Sequence, residues 1–235
     1  MSLVVRSLCG LTIFLAHTVT LMSQVEPKSS GRLHEIASQA KLFGKSEVNV
    51  PHHSFQHYAK APSLEVALRT TTPLLIRLEY KMSSVSQDGA EVLTWNRARV
   101  MESLSSLPLV QPVAPAFAPA PPAEFGQMTP DTLAIETTGG QVVVEGVVIN
   151  TPESPVALAM NREYVVFVRL EKNPDGTVTH VARFPFGLDT IFEYHVENGS
   201  FSPVSPERRG LFISDLFKKT DGSLAKLRSL LKANR

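Results

Sequence analysis

The run EYVVFVRL, residues 163–170, has the strongest strand pattern in the chain. Its residues alternate between two sets that are both apolar, and a strand of this kind is buried on both of its faces. One set consists of Tyr164, Val166, Val168 and Leu170, and the other of Val165 and Phe167. This run is the clearest sign that the chain contains a β domain.

Further strand signals lie on both sides of this run. The extended runs 74–80 and 90–104 flank the turn signal Gln87-Asp88-Gly89, so we predict a long, half-exposed hairpin. The other predicted strands are 132–137, 141–149, 177–184, 191–196 and 201–204. We expect five to seven of these eight runs to form antiparallel strands, which indicates a mainly β fold, either a small antiparallel barrel or a sandwich.

Helix signals flank the β region, which we place at residues 62–204. Ser63 precedes the pattern Leu64 to Leu68 and is a typical N-cap, so a short helix is expected there. Residues 205–235 are predicted to form a C-terminal helical segment that packs on the β domain. This segment holds eight basic and three acidic residues, a net charge of +5. Either a solvated helix face or a membrane-surface role fits this charge.

Two stretches carry few signals of regular structure. Residues 108–123 contain six prolines, which predict an extended, polyproline-like insertion between strands. Residues 24–61 are a polar lead-in, expected to be loosely held and partly disordered. At best they contain one short amphipathic helix, marked by Leu33, Ile36, Ala37, Ala40 and Leu42.

The first 23 residues predict export. Arg6 and the apolar or small run 7–15 form the two expected parts of a signal peptide, although a retained N-terminal anchor stays open. The protein is then periplasmic or extracellular. Cys9, the single cysteine, lies within this segment, so the mature chain can form no disulfide bond. Without Arg6 the charges balance at 22 bases and 22 acids, which argues against nucleic acid as a partner.

Several of these runs together resemble a known group of proteins. Residues 63–68, 95–104, Gly139-Gly140, 161–168 and Asn198-Gly199 are similar in order to uncharacterised exported bacterial β-barrel proteins, whose core strand reads G-E-x-Y-[LV]-[LV]-F-L. The resemblance covers about residues 62–232 and implies an OB-like or related small barrel with a C-terminal helix. This chain differs by Asn161 in place of the glycine and by the proline-rich insertion.

Two groups of residues are candidates for a functional site. His52, His53 and His57 could bind zinc or copper, because His53 and His57 share one face if the segment is helical. Tyr80, Trp95, Arg97 and Arg99 could form an aromatic and basic ligand-binding surface on the hairpin. The alternative is that Trp95 belongs to the core and that the arginines are merely solvated.

No catalytic set is recognisable, and no cofactor is predicted. Ser38 and Lys41 match S-x-x-K, but the accompanying S-D-N and K-T-G motifs are missing. The sequence therefore favours a non-enzymatic binding or structural protein that acts on an envelope or extracellular partner, a protein or a polysaccharide. Contact with a membrane is expected only through the N-terminal segment, if that segment stays uncleaved. A metal-binding exported protein that uses the three histidines is the alternative.

Overall fold

The computed structural model describes residues 31–51, 63–105, 110–112, 121–154, 157–172, 180–185, 187–204 and 210–233. Within these ranges the protein is mainly β, with one large sheet and two C-terminal helices. The predicted mainly β class is therefore confirmed. Of the predicted C-terminal helical segment, residues 205–209 and 234–235 lie outside the described residues.

The helices and strands are numbered in chain order. The helices are α1 (Arg32–Leu42), α2 (Leu64–Thr70), α3 (Leu211–Thr220) and α4 (Leu224–Ala233), and short 3-10 turns occupy Ala123–Phe125 and Gly187–Thr190. The strands are β1 (Glu47–Asn49), β2 (Thr72–Val85), β3 (Val92–Ser103), β4 (Val110–Pro112), β5 (Thr132–Val144), β6 (Val147–Ser154), β7 (Glu163–Val168), β8 (Leu170–Lys172), β9 (Val181–Ala182), β10 (Ile191–His195) and β11 (Ser200–Pro203).

Nine of the strands form one sheet in the order β1-β6-β5-β3-β2-β7-β10-β11, with β9 beside β5. Most neighbours are antiparallel, but β1 is parallel to β6 and β9 is parallel to β5. The two end strands, β1 and β11, do not pair with each other, so the described sheet is open. The short strands β4 and β8 form a separate parallel pair.

The strand β7 occupies the middle of this sheet, between β2 and β10. All six of its residues are buried, which confirms the doubly buried strand over residues 163–168. The predicted run extended to Leu170, but Leu170 begins the separate strand β8. Its two faces contribute to two different hydrophobic clusters. Val165 and Phe167 belong to one cluster, and Tyr164, Val166 and Val168 belong to the other.

Three helices cover the face of the sheet that carries Phe167. Phe192 and Phe212 meet Phe167 edge to face, with ring centroids 6.0 and 5.1 Å away. The apolar sides of α2, α3 and α4 complete this cluster with Leu64, Leu216 and Leu227, among others. The predicted N-cap of α2 is also present, because the Ser63 side chain accepts a hydrogen bond from the Val66 amide at 3.4 Å.

The opposite face of β7 packs against side chains of the other strands and against Leu158 of the crossover between β6 and β7. At the start of the crossover, Lys81 of β2 forms an ion pair with Glu153, N to O 2.5 Å. At its end, the Asn161 amide donates a hydrogen bond to the Leu78 carbonyl at 2.9 Å. Since β2 and β6 are three positions apart in the sheet, a direct contact between them requires the sheet to be strongly curled.

The lead-in is packed on the sheet over residues 31–51, contrary to the loosely held segment expected from the sequence. Leu33, Ala37 and Ala40 of α1 are buried against β5 and β6. The Leu33 amide also donates to the Gly89 carbonyl at 3.0 Å. Leu42, assigned from the sequence to the apolar stripe, is instead 85% exposed. Of the proline-rich insertion, residues 108–109 and 113–120 lie outside the described part.

The pair Gly139-Gly140 lies inside β5, and the chain reverses direction only at Glu145-Gly146. The register of β5 and β6 shifts between Thr138 and Gly140. Gly139 has φ +89°, and a Cβ there would overlap the Pro152 carbonyl oxygen. The glycine pair thus produces an irregularity within the strand, where the neighbouring backbone comes very close.

We expect Gly139→Ala to destabilise the fold by roughly 2 kcal/mol or more, because positive φ and overlap with the backbone both oppose a Cβ. Gly146→Ala is the matched control, since Gly146 has φ +82° but no atom within 4 Å of an added Cβ. Urea unfolding of both variants measures the difference. Equal losses of unfolding free energy would show that φ alone, and not the close approach of Pro152, determines the cost.

Candidate hairpin-face site

The β2–β3 hairpin brings the four predicted ligand-binding residues onto one face. Tyr80 lies opposite Arg97 in the register of the two strands. Trp95, Arg97 and Arg99 occupy alternate positions of β3 and therefore point to the same side. We call this surface, formed by Tyr80, Trp95, Arg97 and Arg99, the hairpin face.

Arg97 is held in place by two contacts on the hairpin face. Its guanidinium carbon lies 5.0 Å from the centre of the Tyr80 ring, a cation–π distance. Its Nη1 also donates a hydrogen bond to the Phe125 carbonyl oxygen at 3.3 Å. Within the described part of the chain, no acidic side chain lies within 4 Å of this guanidinium. Arg97 is therefore a half-buried, oriented cation that has no counter-charge within 4 Å among the described residues.

Trp95 is only 2% exposed and belongs to the core. Phe125, on the turn that follows the proline-rich insertion, packs edge-on against its indole with ring centroids 6.3 Å apart. The same phenyl ring contacts Tyr80 at 5.9 Å. The indole is thus covered and cannot stack on a ligand while Phe125 stays in place, which agrees with the core alternative weighed for Trp95.

Arg99 differs from Arg97 in having acidic partners. Its Nε lies 2.8 Å from Glu79 Oε1 and 4.0 Å from Asp131 Oδ2, and its side chain is about half exposed. An exposed pair of this kind contributes little to stability. The geometry therefore singles out Arg97 as the cation of the hairpin face whose charge is available to a ligand.

A further residue beside this face, Glu136 of β5, was missed from the sequence. It lies directly opposite Trp95 in the β3–β5 register. Its Oε2 is buried, and no residue of the described ranges supplies it with a hydrogen bond. Burial raises the pKa of Glu136, while the charge of Arg183 opposes this shift. A single glutamate within the otherwise uncharged run 132–144 was the sequence signal that could have identified it.

The three histidines of the predicted metal site, His52, His53 and His57, lie outside the described residues, so a metal site there stays a prediction. Within the described ranges, no group of three or more His, Cys, Asp or Glu side chains is placed to hold a metal ion. None of the helices in those ranges is long and apolar enough to cross a membrane.

Comparison with protein-family models, with curated proteins and with solved structures gave no match to this chain.

We expect Glu136 to make folding stability depend on pH. Because burial raises its pKa in the folded state, its favourable contribution is fully present below the unfolded pKa, about 4.3. This contribution is lost as the pH rises through the folded pKa, since the folded state then has to ionise a buried carboxyl. Urea unfolding measures this effect between pH 4 and pH 8. The free energy of unfolding should fall less with rising pH in Glu136→Gln than in the unchanged protein.

Glu65→Gln is the control for this measurement, because Glu65 lies exposed on α2 in an ion pair with Arg69. This control should keep the steeper pH dependence of the unchanged protein. If Glu136→Gln and the unchanged protein have parallel stability curves, Glu136 titrates in the folded state as it does in the unfolded chain.

Proposed function

We propose that this protein is an exported, non-enzymatic binding protein. Its hairpin face binds a negatively charged group on an envelope or extracellular partner, either a protein or a polysaccharide. The partner's charged group is bound by Arg97, and Tyr80 and Phe125 hold that side chain in position. Arg99, which is paired with Glu79, lies at the edge of the same face.

The main support for this proposal is that the Arg97 side chain is already oriented by its contacts. A guanidinium that is stacked at 5.0 Å on Tyr80 and bonded to Phe125 O has already lost much of its freedom before a ligand arrives. An oriented arginine therefore gains more from binding a carboxylate or phosphate than a freely rotating one does. The guanidinium has further N–H groups besides the one that donates to Phe125 O.

The location follows from the N-terminal segment. Its basic residue and apolar run support export to the periplasm or to the extracellular space. A retained anchor would leave the domain at the membrane surface, and a cleaved signal would release it. In both cases the hairpin face is accessible to envelope or extracellular material.

For the fold we propose that the curled sheet is a small, partly open barrel of the OB-like kind. The contact of Lys81 with Glu153 supports this, because it joins strands that are three positions apart. In such barrels an exposed strand face commonly binds oligosaccharides or oligonucleotides. The balanced charge of the mature chain favours oligosaccharides or acidic proteins over nucleic acid.

Two soluble polymers test this proposal, with polygalacturonate as the acidic polysaccharide and poly-L-glutamate as the acidic polypeptide. We expect the full chain to bind at least one of them, and Arg97→Ala to weaken binding by roughly ten- to hundredfold. Arg97→Lys should recover only part of the affinity, because a lysine lacks the planar fork of donors. Isothermal titration calorimetry at two salt concentrations gives these affinities.

Arg69→Ala is the matched control, because Arg69 is an exposed arginine on α2, paired within its own helix with Glu65. The Arg69→Ala variant should bind each polymer with the same affinity as the unchanged protein. The proposal fails if neither polymer binds, or if Arg97→Ala and Arg69→Ala bind equally well. Stoichiometric zinc or copper that is lost on replacing His52, His53 and His57 would favour the metal-binding alternative instead.

A further inference from the structure

The turn after α1 exposes two large apolar side chains next to each other. Leu42 is 85% exposed and Phe43 is 79% exposed, the highest values among the large hydrophobic residues of the described ranges. Single exposed apolar residues are ordinary, but an adjacent leucine and phenylalanine with almost no protein contact are not. We call residues 41–45 the α1 turn.

The α1 turn is a rigid and protruding feature. Gly44, with φ +65°, ends the helix, and the Gly44 amide donates to the Lys41 carbonyl at 2.9 Å. The Lys45 amide donates to the Ala40 carbonyl, also at 2.9 Å. These two bonds form a Schellman motif. No atom lies within 4 Å of the position of a Cβ on Gly44, so the turn projects into open space.

The backbone of the α1 turn is also suited to an apolar environment. The amides of Phe43, Gly44 and Lys45 all donate to carbonyl groups of α1. An unpaired amide would be costly to remove from water, and these three bring no such cost. Only the two apolar side chains and the outer carbonyl groups would have to leave the solvent.

The turn is attached to the rest of the domain through α1, whose buried side contributes more to this attachment than the exposed ion pairs of Glu145 do. Lys41 Nζ lies 3.2 Å from Glu145 Oε2, and His34 Nδ1 lies 3.3 Å from Glu145 Oε1. On its other side, α1 buries Leu33 and Ala37 against the sheet. A rigid attachment means that any contact made by Leu42 and Phe43 orients the whole domain.

The side chains around the α1 turn indicate what it contacts. Lys41 and Lys45 flank the two apolar residues. Lys41 is paired with Glu145, whereas Lys45 has no acidic partner within 4 Å in the described ranges. Aromatic and aliphatic side chains next to lysines are typical of segments that enter the headgroup region of a bilayer. A convex tip of two residues is, in contrast, far smaller than the area that a stable protein interface buries.

We propose that the α1 turn inserts Leu42 and Phe43 into the interfacial region of a lipid membrane, with Lys45 at the level of the headgroups. The domain then contacts the membrane reversibly, since two side chains are too few for permanent anchoring. This contact is independent of the hairpin face and of whether the N-terminal segment is cleaved.

A tryptophan reporter in the full chain tests this proposal. Phe43→Trp places an indole at the tip, and the native Trp95, only 2% exposed, supplies a constant background. With phosphatidylcholine–phosphatidylglycerol vesicles, we expect the emission of the new indole to shift to shorter wavelength. Brominated acyl chains should quench it by roughly half or more, because bromine quenches only an indole within the bilayer.

Leu211→Trp is the matched control, because Leu211 is similarly exposed, at 72%, but begins α3. Its emission should not respond to brominated lipid. Lys45→Glu should reduce the response of the Phe43→Trp reporter on anionic vesicles several-fold and leave it unchanged on pure phosphatidylcholine.

Two outcomes would overturn the proposal. The emission of the Phe43→Trp protein could be the same with brominated and with ordinary lipid, which would mean that the tip stays in water. It could also shift with rising protein concentration in the absence of lipid, which would assign the surface to a second copy of the chain.

Discussion

The burial of β7 on both faces is the constraint on which the rest of the structure depends. Its residues alternate between two hydrophobic clusters, so neither cluster can form unless the strand has a neighbour on each side and a layer on each face. The neighbours are β2 and β10. One face is covered by the three helices. The other packs against side chains of the curled sheet and against Leu158 of the β6–β7 crossover.

The pairing of β7 with β2 also determines where the hairpin face lies. Because β2 pairs with β7 only through its first half, residues 72–77, its second half extends beyond β7 and has β3 as its one strand partner in the described ranges. The register shift between Leu78 and Tyr80 separates the two halves. Tyr80 and Arg97 therefore lie on a part of the hairpin that the helices do not cover, where a short turn carrying Phe125 supports them.

Much of the fold could be predicted from residue patterns, and the exceptions have physical reasons. The central strand, the hairpin and the N-cap at Ser63 all depend on neighbours in sequence, and all three are present. The strand β1 could not be predicted, because three residues show no periodicity and its parallel partner is about a hundred residues away. The run 141–149 was predicted as one strand, but the chain reverses at Glu145-Gly146, and Gly139-Gly140 lies inside β5.

The sequence by itself determined the mainly β class, the doubly buried strand and the presence of Tyr80, Trp95, Arg97 and Arg99 on one hairpin. Only the tertiary structure decided how accessible each of these residues is. Phe125 covers Trp95, Glu79 pairs with Arg99, and Arg97 is left without an acidic partner in the described part of the chain. Likewise, Leu42 fits an apolar stripe in sequence but faces solvent at the end of α1. Exposure depends on segments that are distant in sequence, and no local pattern encodes their positions.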